Sequence, residues 1–192
     1  MRFVRIAQML CCTSIAIGAF AQPQFASAQA APMADPAAQK PLSPPAKAEV
    51  SLTGAKISID YSAPSVRHRA IFGGLVPYGQ VWRTGANAAT TLKTSGSLKI
   101  GDLMVPAGTY TLYSLPTADG MQLIVNKQTG QWGTEYDQKQ DLGRVPMKVG
   151  KTSSPLETMV IAFEETMGDM GMTELHVKWA GLDASVPVNV AK

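Results

Sequence analysis

Lys56-Ile57-Ser58-Ile59-Asp60-Tyr61 alternates strictly, with Ile57, Ile59 and Tyr61 on one face of an extended chain and Lys56, Ser58 and Asp60 on the other. A period of two belongs to a half-buried strand and not to a helix. The same alternation returns at Met121/Leu123/Val125, Met159/Ile161/Phe163, Leu175/Val177/Trp179 and Val186/Val188/Val190. Strands with one apolar face predict antiparallel sheet packed over a core. From Glu49 onward glycine or proline interrupts the pattern about every eight to twelve residues, which predicts an all-β antiparallel sandwich or flattened barrel of about nine to eleven strands. No amphipathic helix of more than about two turns is legible.

Turn chemistry agrees with this spacing. Val105-Pro106-Ala107-Gly108 puts proline and glycine where a type I turn prefers them, and Asp119-Gly120 reads as a hairpin. Pro146 and Pro187 each remove a ladder donor, so their strands are expected at sheet edges or bulges.

The chain opens with Arg2 and Arg5, then runs uncharged from Ile6 to Ala21 and reaches small-residue sites at Ala19-Phe20-Ala21 and Ala26-Ser27-Ala28. That is the form of a secretory signal peptide, and residues 1–28 are expected to be removed on export to the periplasm or beyond the cell. The apolar run is roughly 15 residues, short of the ~20 needed to cross a bilayer as a helix, so no transmembrane segment is expected after cleavage. Residues 29–47, rich in alanine and proline, read as a disordered linker, leaving 48–192 as a single β domain.

Both cysteines, Cys11 and Cys12, leave with the leader, so neither a disulfide nor a cysteine-ligated metal is expected. The formal charge is +3, and loss of Arg2 and Arg5 brings it to +1 with no basic stripe, which argues against nucleic acid as a partner.

Residues Tyr61 to Thr91 differ in kind, gathering Arg67, Arg69 and Arg83 with Tyr61, Phe72, Tyr78 and Trp82 around Phe72-Gly73-Gly74-Leu75-Val76-Pro77-Tyr78-Gly79. The stretch from Asp60-Tyr61-Ser62-Ala63-Pro64 through Gln80-Val81-Trp82-Arg83-Thr84-Gly85-Ala86-Asn87 closely resembles the bacterial secreted family called domain of unknown function 2911. Val105-Pro106-Ala107-Gly108-Thr109-Tyr110 and Gln131-Trp132-Gly133 resemble further landmarks of that family. The resemblance covers roughly Ala48 to Val190 and implies export and a single β domain, with no established activity to carry over. This chain departs from the pattern at Ala63, where relatives often carry arginine.

The dense segment has two readings. As a binding surface, Arg67, Arg69 and Arg83 offer forked donors to a carboxylate or phosphate, while Tyr61, Tyr78, Trp82 and Trp132 stack on a sugar or ring and Asn87 adds an amide. As scaffold, the loop plugs one end of the sheet and its arginines pair with Asp60 or with loop carbonyls. The expected function is non-catalytic binding of an envelope glycan, a small anionic ligand or an envelope protein, without a cofactor.

Two alternatives stand beside it. A cofactor-free hydrolase would use His68 as a base toward Ser65 or Ser62, or an acidic pair drawn from Glu164-Glu165 and Glu135/Asp137/Asp141. A soft copper site would use Met167, Met170 and Met172 with His176. His176 alternates with Glu174 and Lys178 and is expected to be a solvated surface histidine.

Overall fold

The computed structural model describes residues 42–191. The signal-peptide reading of residues 1–28 and the linker reading of 29–41 lie outside the described residues. Nine strands follow in chain order: β1 (Pro45–Leu52), β2 (Ala55–Ser62), β3 (Thr90–Thr94), β4 (Leu98–Ile100), β5 (Leu103–Val105), β6 (Gly108–Pro116), β7 (Met121–Asn126), β8 (Asp141–Met167) and β9 (Met172–Val190). They form one antiparallel sheet in the order β1-β2-β3-β6-β7-β8-β9-β4-β5, which does not close into a barrel. Among the described residues the helical content is two short 3-10 turns, Gln138–Gln140 and Gly168–Met170. The fold is all-β, as the alternation predicts.

One long strand joins the two halves of the sheet. β8 pairs with β7 from Asp141 to Met147, then with β9 from Lys148 to Met167. The sheet folds over on itself there, so Ile57, Ile59, Leu92, Leu112 and Leu123 from one half share a core with Met159, Ile161, Leu175, Val177 and Trp179 from the other. Burying each such side chain contributes about 1.5–3 kcal/mol. Tyr61 fastens the halves: its phenol oxygen accepts a 3.0 Å hydrogen bond from the backbone N–H of Ile161.

The prolines fall where strands change partner. Pro146 stands opposite Gln122 in the last stretch of β8 before β9 takes over at Lys148. Pro187 lies between the pairing of Ser185 with β8 and that of Val188 with β4. A missing N–H costs no ladder bond at such a switch.

β1 begins earlier than composition indicates, since Pro45, Ala46 and Lys47 pair with Ser62, Tyr61 and Asp60. The strand thus takes the last three residues of the segment read as linker. β1 is an edge strand, where a leading proline withholds no bond from a neighbour.

Candidate functional site

The connection between β2 and β3 is irregular, yet it is tied down at both ends. Val66 N donates to Glu157 O at 2.7 Å, and Met159 N donates to Pro64 O at 2.9 Å, stitching the start of the loop to β8. Trp82 and Ser114 exchange two backbone bonds of 2.7 Å each, which adds a bridge outside β6. Thr84 is fully buried at φ 48°, its hydroxyl 2.7 Å from Ser114 Oγ and its carbonyl accepting from Thr90 Oγ1 at 2.9 Å. Arg67, His68 and Asn87 also hold positive φ, at 49°, 56° and 57°. Left-handed backbone costs non-glycine residues about 1–3 kcal/mol each and persists where surrounding contacts enforce it, as at ligand sites. Asparagine tolerates that region; a β-branched threonine does not.

This loop, the 131–136 segment and the core tryptophan of β9 enclose a cavity of about 510 Å³. Arg67, Arg69, Trp82, Arg83 and Asn87, all expected in a site, line it. Tyr61, Tyr78 and Trp132 do not: Tyr61 is the buried tie to Ile161, while Tyr78 and Trp132 are about half exposed and lie outside the cavity. Tyr113, Gly133, Thr134, Tyr136 and Trp179 also line it and are not legible as site residues in the sequence. Four of them share only an aromatic ring or a glycine on strands and turns spread along the chain, and Thr134 lacks even that signal.

The three arginines play different parts. Arg69 donates through Nε to Val66 O at 3.0 Å and through Nη2 to Ser65 O at 2.6 Å, so it braces its own loop. Arg67 donates through Nη2 to Leu42 O at 2.5 Å, and its backbone N–H donates to Glu157 Oε1 at 3.0 Å. Arg83 is otherwise placed. Its Nε is sealed from solvent with no hydrogen-bond partner, and no described carboxylate lies within ion-pair distance. Asp60, the partner that the scaffold reading would give it, instead faces Lys93 at 3.3 Å and Lys47 at 3.9 Å on the exposed side of β2.

The aromatic wall is packed and directional. Trp82 stacks on Trp179 with ring centroids 5.8 Å apart and planes at 17°, and Phe72 meets both rings edge-on at 6.2 and 6.5 Å. Trp179 is 1% exposed and its indole Nε1 has no partner. Tyr113 and Tyr136, also in the lining, make an edge contact at 4.9 Å. Tyr136 donates its hydroxyl to Asp141 Oδ2 at 2.7 Å and accepts from Arg144 Nη2 at 2.8 Å. Burial first, and then the bond to the Asp141 carboxylate, push its pKa up to about 12.

The remaining chemistry named from the sequence is placed elsewhere. His68 is exposed and does not line the cavity. Asp141 is spent on Asn126, Tyr136 and Arg144, and Asp137 caps a 3-10 turn through Lys139 N. Met167, Met170 and Met172 are exposed at the β8–β9 tip, and His176 sits four residues along β9 from Met172, roughly 13 Å at ~3.3 Å per residue. That separates the histidine from the thioethers. His176 is also not a solvated surface residue: it is 9% exposed, with Nδ1 2.8 Å from Asp183 Oδ1 and Nε2 buried 3.9 Å from both Glu164 and Glu174. The wet face of β9 is covered there by carboxylates from β8 and from its own return, and Lys178 bonds Glu164 at 2.6 Å beside it. Among the described residues no group of three or more His, Cys, Asp or Glu side chains is disposed to hold a metal ion, and no helix is long and apolar enough to cross a membrane.

The sequence profile of the family described as protein of unknown function, DUF2911, matches residues 43–188, from the β1 approach to within β9. The chain belongs to that family. The DUF2911 match spans the cavity wall from Ser43 through Trp179, leaving out Leu42. No curated protein and no solved structure matches the chain.

Proposed function

We propose that this DUF2911 chain is an exported, non-catalytic binding protein that takes a small anionic ligand into the cavity beside Arg83. The observation that carries the reading is the charge of the wall: three arginines line the cavity and no aspartate or glutamate does. Arg83 is half-buried on that wall, and no described carboxylate pairs with it. A cavity of about 510 Å³ falls in the range of small-molecule sites, about 300–1,000 Å³. Export rests on the leader-like residues 1–28.

A glycan has less support, because Tyr78 and Trp132, the exposed rings able to carry a sugar, lie outside the cavity. The hydrolase reading has no histidine at the cavity wall.

The test is a melting-temperature screen of the purified protein against small carboxylates and phosphates, repeated with Arg83→Met. A ligand that binds only the native state raises the midpoint by mass action. An anion that stabilises the wild type and leaves Arg83→Met unmoved supports the proposal. Equal shifts in both proteins, or none in either, would remove it.

A further inference from the structure

Resting on that reading, we infer that the occupant of the cavity is a dicarboxylate, with one carboxylate on the Nη edge of Arg83 and the other on Arg67. The first support is the state of the three arginines on the wall. Arg69 is a brace, since its Nε and Nη2 take the carbonyls of Val66 and Ser65. Arg83 has its Nε sealed, but Nη1 and Nη2 are open and bond no described residue, so the end of its fork is the part an occupant reaches. Arg67 is exposed and donates through Nη2 to Leu42 O, which leaves Nε and Nη1 without a described partner. The nearby Glu157 carboxylate takes the backbone N–H of Arg67, not its guanidinium. Two guanidinium groups thus stand open on a wall without an aspartate or glutamate, and each matches one carboxylate.

The second support is the backbone that presents these two groups. Arg67 and His68 are the central residues of a turn closed by Arg69 N donating to Val66 O at 3.1 Å, and both are left-handed, with φ 49° and 56°. Turns with two left-handed residues are ordinarily built from asparagine and glycine, so an arginine is held there against its preference. The guanidinium of Arg69 braces that same turn. Arg83 is followed by Thr84, left-handed at φ 48°, fully buried and bonded to Ser114 and Thr90. Strain of this kind persists where surrounding contacts enforce it, and here it falls at or beside the two open arginines.

The third support is where the two arginines are rooted. Asn87 Nδ2 donates to Ser43 O at 3.4 Å, one residue along from the Leu42 carbonyl that takes Arg67. Asn87 O accepts from Gly133 N at 3.1 Å, and Arg83 lies against Gly133. Arg67 and Arg83 therefore connect to Asn87 through different segments, one through residues 42–43 and the other through Gly133. An anion charged at both ends suits that arrangement better than a phosphate, which gathers its charge on one centre and would fill little of a cavity of about 510 Å³. Gln80 and Thr134, exposed on the same wall, offer the ligand body hydrogen bonds without adding charge.

Calorimetric titration of the full chain with the dicarboxylates from malonate to adipate, each beside its monoamide, and with inorganic phosphate tests the inference. The monoamide keeps the shape of the diacid and removes one charge, so the wild type alone answers whether two charges are read. The expected result is a preferred dicarboxylate that binds about tenfold or more tighter than its monoamide. Arg67→Met should level the two, and Arg83→Met should weaken both, with circular dichroism checking that each variant is folded. A monoamide that matches its diacid on the wild type would overturn the second anchor while leaving the anion reading standing, and so would an Arg67→Met protein that keeps the full preference. Phosphate binding about tenfold tighter than every diacid would overturn the dicarboxylate class and again leave the anion reading. If no anion binds the wild type better than Arg83→Met, this inference and the reading beneath it both fall.

Discussion

Arg83 lies across the α-carbon of Gly133: a β-carbon added at Gly133 would collide with Arg83 Cδ and stand 2.8 Å from Asn87 O. Gly133 N donates to that same carbonyl at 3.1 Å, so the 131–134 turn is pressed onto the Arg83 stem from above. The turn thereby aims the guanidinium, and Gly133 serves the cavity although its backbone carries no unusual torsion.

Gly133→Ala is therefore expected to displace Arg83 and abolish anion-dependent stabilisation, at a cost of about 1–3 kcal/mol for overpacking. Chemical denaturation with and without the anion separates the two effects. An alanine variant that binds as tightly as wild type would show that Arg83 is not aimed by this contact.

Arg83→Met keeps the length of the stem and deletes an uncompensated charge. In the absence of ligand the variant should be as stable as the wild type or up to about 1 kcal/mol more so, the exchange of stability for function expected of a binding group. Urea midpoints measure this. A loss of more than about 2 kcal/mol would mark Arg83 as a structural tie.

Tyr61→Phe should behave in the opposite way. Removing the phenol orphans the buried N–H of Ile161, so the fold should lose about 1–3 kcal/mol while ligand affinity stays within about twofold. Affinity falling with stability unchanged would restore Tyr61 to the site.

Tyr136 predicts a signature in alkali. Its folded pKa is raised to about 12, above the ordinary value of 10.0, so the folded state holds the proton more tightly than the unfolded chain does. Stability from this group is complete below pH ~10 and is lost as pH rises from there toward ~12. The wild-type advantage over Tyr136→Phe should accordingly shrink across that window, as read from denaturation curves at successive pH values. A difference that stays constant would mean the phenol feels no such environment.

The faces of β2, β7 and β9 are legible because an alternating pattern has a single period to detect. The extent of β8 is not, since Gly143, Pro146, Gly150 and Pro155 punctuate it like turns while the strand runs on by changing partner. At the site, Trp82 and Arg83 are legible because they crowd one loop with other cations and rings. Trp179 is legible only as a core residue: its alternation with Leu175 and Val177 is correct, and nothing local says that the indole N–H finds no acceptor. His176 shows the same limit, since its face is read correctly but the register that sets Glu164 and Asp183 against it is not.

β8 also bears on the time the chain needs to fold. Its two ladders demand partners on opposite sides, and the β4 pairing of Leu98 with Val190 cannot form until nearly the whole domain has been gathered. Loop closure over such spans must be met before the contacts repay it, which places a sheet of this kind among folders of milliseconds to seconds and not microseconds. Because both halves are built on the one strand, whichever ladder forms first fixes the register from which the other must start.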